Sequence, residues 1–130
     1  MPPIPNPTEG ELAILRVLWS QRDPMTVREV HQVLSRGKDT AYTTVLKMLT
    51  IMADKGLVAR DEAQRSHTYR ALCAEPEVQA GLLQDLMRRA FSGSTLHLVQ
   101  RALDDQTASS EELDAMARLI ADAKARRKKG

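Results

Sequence analysis

Between Thr40 and Gly56 the chain reads Thr-Ala-Tyr-Thr-Thr-Val-Leu-Lys-Met-Leu-Thr-Ile-Met-Ala-Asp-Lys-Gly. Val45, Met48, Leu49 and Met52 recur at i, i+3, i+4 and i+7, a spacing that commits the stretch to a helix with one buried stripe. At 3.6 residues per turn, Thr43, Lys47, Thr50 and Asp54 occupy the opposite face. Gly56 supplies a left-handed stop and Lys55 a cation in the last turn. An exposed helix face ordinarily carries Glu and Lys, whereas this one opens with Tyr42-Thr43-Thr44 and a single lysine. Hydroxyls and a lysine at a helix N-terminus suit phosphates and base edges in a DNA major groove. Taken alone, the same residues also make an ordinary solvated face.

The chain has 130 residues, of which 3% are aromatic, so a core must come from Leu, Val, Ile, Met and Ala. That composition favours helices. No apolar run approaches a membrane span and no basic, apolar signal sequence opens the chain, so a cytoplasmic protein is expected. One cysteine, Cys73, leaves no internal disulfide and no thiolate metal cluster within one chain. Residues 1–74 hold ten Lys/Arg and eight Asp/Glu, residues 75–123 four and nine, and residues 124–130 five and none. With a net charge of only +2, the protein cannot coat nucleic acid by charge alone; geometry must focus a few cations.

In chain order, Met1 to Pro7 is a proline-rich, extended lead-in. Thr8-Glu9-Gly10-Glu11 is a capping box opening a helix to about Trp19, with Leu12, Leu15 and Trp19 on one stripe. Asp23-Pro24 breaks the chain. Thr26-Val27-Arg28-Glu29 is a second capping box, and Val27, Val30 and Leu34 form the buried stripe of a short helix. Arg28, His31 and Gln32 fall on its polar face, His31 reading as a solvated residue. A turn at 35–39 joins it to the Thr40–Lys55 helix, giving a helix-turn-helix. Residues 57–60 and 66–72 read as two short strands with 61–65 as the hairpin tip. Helix-turn-helix followed by a β-hairpin is the winged-helix order, and Arg65 stands where a wing touches backbone or minor groove, or else is a solvated hairpin arginine. His67 and Tyr69 alternate onto one strand face and are expected to be packed or half-buried.

From Glu75-Pro76 onward the pattern is helical. One helix carries Val78, Leu82 and Leu86 with Leu83, Met87 and Phe91; a second carries Leu96, Val99 and Leu103. A third capping box, Ser109-Ser110-Glu111-Glu112, opens a helix with Leu113, Met116, Ala117 and Ile120 inward. Three short helices make a thin core by themselves, and their apolar faces are wider than one chain can cover. A homodimer is expected, with Leu82, Leu86, Phe91, Leu96, Val99, Leu103, Leu113, Met116 and Ile120 at or near its interface. The tail Lys124 to Lys129 either solubilises the end and complements the last helix's dipole or adds a DNA contact.

These residues resemble the BlaI/MecI-type penicillinase repressors. The resemblance rests on Thr8-Glu9-Gly10-Glu11-Leu12-Ala13-Ile14-Leu15 with Leu18-Trp19, Val27-Arg28-Glu29-Val30, Ala41-Tyr42-Thr43-Thr44-Val45, Lys55-Gly56-Leu57-Val58 and Arg65-Ser66-His67-Thr68-Tyr69. Phe91-Ser92-Gly93-Ser94, Leu98-Val99 and Glu111-Glu112-Leu113 extend it over nearly the whole chain. The resemblance implies a dimeric winged-helix repressor: a mainly α fold with a small β-hairpin wing, residues 1–74 binding DNA and residues 75–130 dimerising. It implies palindromic operator DNA as partner, ahead of antibiotic-resistance or other stress genes. The DNA contacts implied are Tyr42, Thr43, Thr44, Lys47 and Thr50 of the helix and Arg65 and His67 of the hairpin. Some members read their operators with basic residues in the first recognition-helix turn, at places that hold Thr43 and Leu46 here; Gln64 stands where the wing usually has glycine; the paired cysteines of copper-responsive relatives are absent. In the penicillinase repressors a membrane sensor metalloprotease system leads to cleavage within an Asn-Phe pair, and the aligned pair here is Arg101-Ala102.

Two other classes compete. No Gly-rich phosphate loop, His-Glu zinc spacing or nucleophile beside a base is present, so no catalytic residue, metal or cofactor is expected. The alternative to a repressor is a winged helix used only for protein contact, with a helical dimerisation arm and no specific DNA site.

Overall fold

A computed structural model describes residues 5–129. The elements run α1 (Glu9–Trp19), β1 (Met25–Thr26), α2 (Val27–Leu34), α3 (Tyr42–Lys55), β2 (Val58–Asp61), β3 (Thr68–Ala71), α4 (Glu75–Ala90), α5 (Thr95–Asp104) and α6 (Ser110–Lys129). Of the lead-in, only Pro5 to Pro7 falls among the described residues.

The capping boxes form where the sequence places them. Thr8 Oγ1 accepts from the Glu11 amide while Glu11 Oε1 accepts from the Thr8 amide. Thr26 with Glu29 and Ser109 with Glu112 repeat the reciprocal pair. Each satisfies amide groups that the first helical turn would otherwise leave without partners. Gly56 ends α3 at φ 83°, a left-handed conformation that costs glycine nothing.

Three short strands form one antiparallel sheet in the order β1-β3-β2. Met25 pairs with Tyr69 and Thr26 with Thr68, while Val58 to Asp61 pair with Ala71 to Thr68. The hairpin is thus a wing of two paired strands, and β1 is an addition to the expected element order. Its two residues carry no periodicity of their own and become a strand only because β3 offers an open edge.

The chain divides into two compact units, Met1–Gln84 and Asp85–Gly130. The first is built around Ile14, Leu15, Val30, Val45, Leu49, Met52, Leu57, Val58 and Tyr69, all essentially without solvent contact. Trp19 is half-buried beside this core and its Nε1–H donates to the Cys73 carbonyl at 2.8 Å. Cys73 itself is buried, which pushes its thiol above the ordinary value. Val78 belongs to the same core and Leu82 packs against it. Leu82, expected at a dimer interface, therefore has an apolar partner within its own protomer. The division falls inside α4 rather than at 74/75, because the first two turns of that helix supply apolar side chains to the winged-helix core.

In the second unit, α5 and α6 are amphipathic, yet none of the described side chains from 85 to 128 is buried. The basic residues 124–128 do not hang off as a separate tail: α6 continues through them. No helix among the described residues is long and apolar enough to cross a membrane.

Candidate nucleic-acid interface

The buried and exposed faces of α3 divide as its sequence dictates. Val45, Leu49 and Met52 point into the core with no exposed surface, and Thr43, Thr44, Lys47 and Thr50 are exposed. Its N-terminus differs from those of α1 and α2. Those helices begin with capping boxes and acidic residues, Glu9 and Glu11 in one and Glu29 in the other. α3 begins at Ala41, which makes no side-chain cap, and has no acid in its first turn. The positive end of the helix dipole is thereby left uncompensated, the arrangement an anionic phosphate complements.

His31 fixes how the chain arrives at that N-terminus. Its Nε2 lies 2.7 Å from the Thr40 carbonyl oxygen, so this nitrogen carries the proton and donates. The ring meets Tyr42 edge-on, with centroids 5.7 Å apart and planes at 73°. The expectation of a freely solvated His31 is corrected: it is half-buried and ties α2 to the first residue of α3. The signal that sequence reading missed is a contact across nine positions through a turn.

The far end of α3 is tied as well. Lys55 Nζ lies 2.9 Å from Glu11 Oε2 and 3.1 Å from Oε1. Burial pushes the Glu11 carboxyl up, but the Lys55 ammonium and the Thr8 amide and hydroxyl outweigh that and hold it below the usual carboxylate range. Glu11 thus serves two elements at once, capping α1 and anchoring the last turn of α3.

At the wing tip, Asp61 Oδ1 accepts from the Ala63 amide at 2.9 Å, which turns the chain without a glycine at Gln64. Arg60 is engaged by Glu62 at 2.8 Å. Arg65 and His67 are exposed, and Arg65 has no ion pair among the described residues. His67 lies just outside β3 while Tyr69 is buried within it, so the two do not share a packed strand face as expected.

Tyr42 and Leu46 of α3, Arg28 of α2, and Arg65, Ser66 and His67 of the wing line one open groove of about 410 Å³. Of the expected DNA contacts, Tyr42, Arg65 and His67 meet there, Thr43, Lys47 and Thr50 lie along the exposed side of the same helix, and Thr44, also exposed, lies at the edge of a separate cleft with Glu9, Gly10 and Met48. Arg28 is an addition, and Leu46, at a place where some family members carry a basic residue, joins the groove as well. Arg28 read only as a polar-face residue of α2, because nothing in its local sequence shows that the wing faces it.

A three-helix unit with a two-stranded wing and an uncapped, acid-free recognition helix defines a winged-helix DNA-binding protein. The penicillinase repressor family profile matches residues 7–122. Transcriptional regulator BlaI of Mycobacterium tuberculosis is 38% identical over 120 residues, covering 88% of this chain and 83% of that protein. The penicillinase repressor of Bacillus licheniformis is 23% identical over 128 residues, 98% of this chain and 99% of that one. The solution structure of the DNA binding domain of the repressor BlaI superposes with a TM-score of 0.51 at 25% identity, covering 59% of this chain and 93% of that domain. The chain belongs to the penicillinase repressor family, and is thereby a DNA-binding transcriptional repressor rather than an enzyme.

Proposed function

We propose that two copies of the chain bind one two-fold symmetric operator, each laying α3 in the major groove of a half-site. The half-sites are then separated by about one helical turn or a multiple of it. Thr43 and Thr44, in the first turn, reach base edges; Tyr42 and Lys47 contact phosphates; Thr50 lies farther along the same face; Arg65 and His67 touch the flanking backbone or minor groove. The observation that carries this reading is the groove in which Tyr42 and Leu46 meet Arg28, Arg65 and His67. It joins the recognition helix to two arginines, Arg28 of α2 and Arg65 of the wing, that have no ion pair among the described residues, which a solvated helix face has no reason to do.

Dimerisation is assigned to the helices beyond the winged-helix unit. Leu96, Leu103, Leu113 and Ile120 are 73%, 42%, 45% and 54% exposed in one protomer, a heavy exposure of leucine and isoleucine for folded helices. Leu86, Phe91, Val99 and Met116 complete the surface we assign to the partner. Val99, Leu103, Leu113, Met116 and Ile120 line one apolar groove between α5 and α6. Arg101-Ala102 is exposed on α5, so cutting there would sever the apolar positions of α5 from one another and undo the dimer. A membrane sensor metalloprotease system acting there would have to accept Arg101-Ala102 in place of the Asn-Phe pair cut in the penicillinase repressors.

Selection of duplexes from a randomised pool, followed by electrophoretic shifts at graded salt, tests the reading. A two-fold symmetric sequence should emerge. Thr44→Ala should then cost on the order of 1 kcal/mol and relax discrimination at one base pair per half-site. Unchanged preference in both Thr43→Ala and Thr44→Ala would remove α3 as the reader.

A further inference from the structure

We infer that Leu46 is a base-reading residue that selects thymine through its 5-methyl group at one position of each half-site. The inference rests on the DNA-binding reading of α3 proposed above. Thr43, Leu46, Lys47 and Thr50 follow one another at i, i+3, i+4 and i+7 on the exposed side of the helix. Leu46 is 42% exposed in the second turn of α3, although its neighbour Val45 and, nearly one turn on, Leu49 are fully buried. Its exposure is therefore not that of a frayed end. It shares its groove with the phenol of Tyr42, the guanidinium of Arg65 and the imidazole of His67.

Thr50 strengthens the case. Its Oγ1–H donates to the Leu46 carbonyl at 2.9 Å, so the hydroxyl proton is spent on the helix backbone and is unavailable to a base. What Thr50 keeps for the groove is its methyl group and an oxygen that can accept but not donate. Leu46 and Thr50 thus bring carbon and no hydrogen-bond donor to the stripe, while the long Lys47 side chain between them reaches out to supply charge to the phosphate backbone. In the major groove only the thymine methyl gives an apolar side chain a matching partner. Against the cytosine amino group the same leucine strips water from a donor and returns nothing.

The probe is the duplex recovered by selection with the full-length protein, resynthesised with each thymine in turn replaced by deoxyuridine. Deoxyuridine pairs identically and lacks only the methyl. Affinity of the unmodified protein should fall about fourfold at one thymine per half-site, the worth of one buried methyl group. Leu46→Ala should bind the unsubstituted duplex more weakly and lose no further affinity on that replacement. Leu46→Met, which keeps apolar reach, should retain the sensitivity, and Trp19 fluorescence should show both variants folded. Indifference of the unmodified protein to every deoxyuridine would overturn the inference, as would an undiminished penalty in Leu46→Ala. Recovery of no preferred sequence at all would instead overturn the DNA-binding reading beneath it.

Discussion

The units Met1–Gln84 and Asp85–Gly130 use the same kinds of residue and the same helical periodicity, but only the first closes a core. It holds nine large side chains with essentially no exposed surface, whereas from 85 to 128 no described side chain is buried. The difference lies in the number of surfaces available. In the winged-helix unit, α1, α2 and α3 present apolar stripes to one another, and β3 adds Tyr69 from the sheet. In the helical unit two amphipathic helices and the end of a third must share one small volume, and chains of that size rarely bury enough apolar area alone. An apolar stripe in a sequence therefore shows that something will be covered, without showing which chain covers it.

The largest effect that could break this contrast is at Ile120. Ile120→Asp should place an unpaired carboxylate in the dimer interface proposed above and cost several kcal/mol of association. Sedimentation at micromolar concentration should then report a monomer, while Trp19 fluorescence, which reads only the winged-helix unit, stays unchanged. A dimer that survives would mean that the exposed stripe is not the interface.

How much of this was legible in the sequence follows the same division. The three capping boxes, the α3 stripe and its Gly56 stop are local patterns, and each appears where the residues put it. The fold class follows, since helix, turn, helix and hairpin were all readable in order. What was not readable depends on distant partners. β1 exists only through Tyr69 and Thr68; Glu11 gains its second role from Lys55, forty-four positions away. His31 and Arg28 looked like ordinary surface residues because the turn and the wing that face them are specified elsewhere. The interior of α4 shows the same limit: Val78 and Leu82 belong to a stripe that continues to Leu86, and periodicity alone does not reveal where that stripe leaves the core.

A smaller effect sharpens the comparison within the closed unit. The Glu11 carboxyl is held below its ordinary value in the folded chain, so its contribution is fully present above that ordinary value and is lost as pH falls through the lower, folded value. Glu11→Gln should lower stability by about 1 kcal/mol near neutrality, since the solvent that reaches Lys55 weakens the pair. It should also remove the acid-dependent part of that loss. Thermal unfolding followed through Trp19 at a series of pH values measures both. A variant whose stability falls with acid as steeply as before would place the sensitivity in another carboxylate.

The smallest effect concerns the wing, where the closed unit turns outward. Arg65 is exposed and unpaired among the described residues, unlike Arg60, which Glu62 engages. A guanidinium in that state loses little hydration on meeting a phosphate and has no internal partner to give up. Arg65→Ala should therefore leave stability untouched and weaken binding to selected and random duplexes by similar factors. The dependence of log affinity on log salt should flatten by about 0.9 for each protomer bound, one counterion no longer released. Arg60→Ala is the internal comparison: its charge is already matched by Glu62, so the salt slope should change less. Equal slope changes at the two positions would mean that the Arg60–Glu62 pair opens on DNA. A loss at Arg65 confined to one base pair would make the wing a reader of sequence, leaving Thr43, Thr44 and Leu46 of α3 to share that task with it.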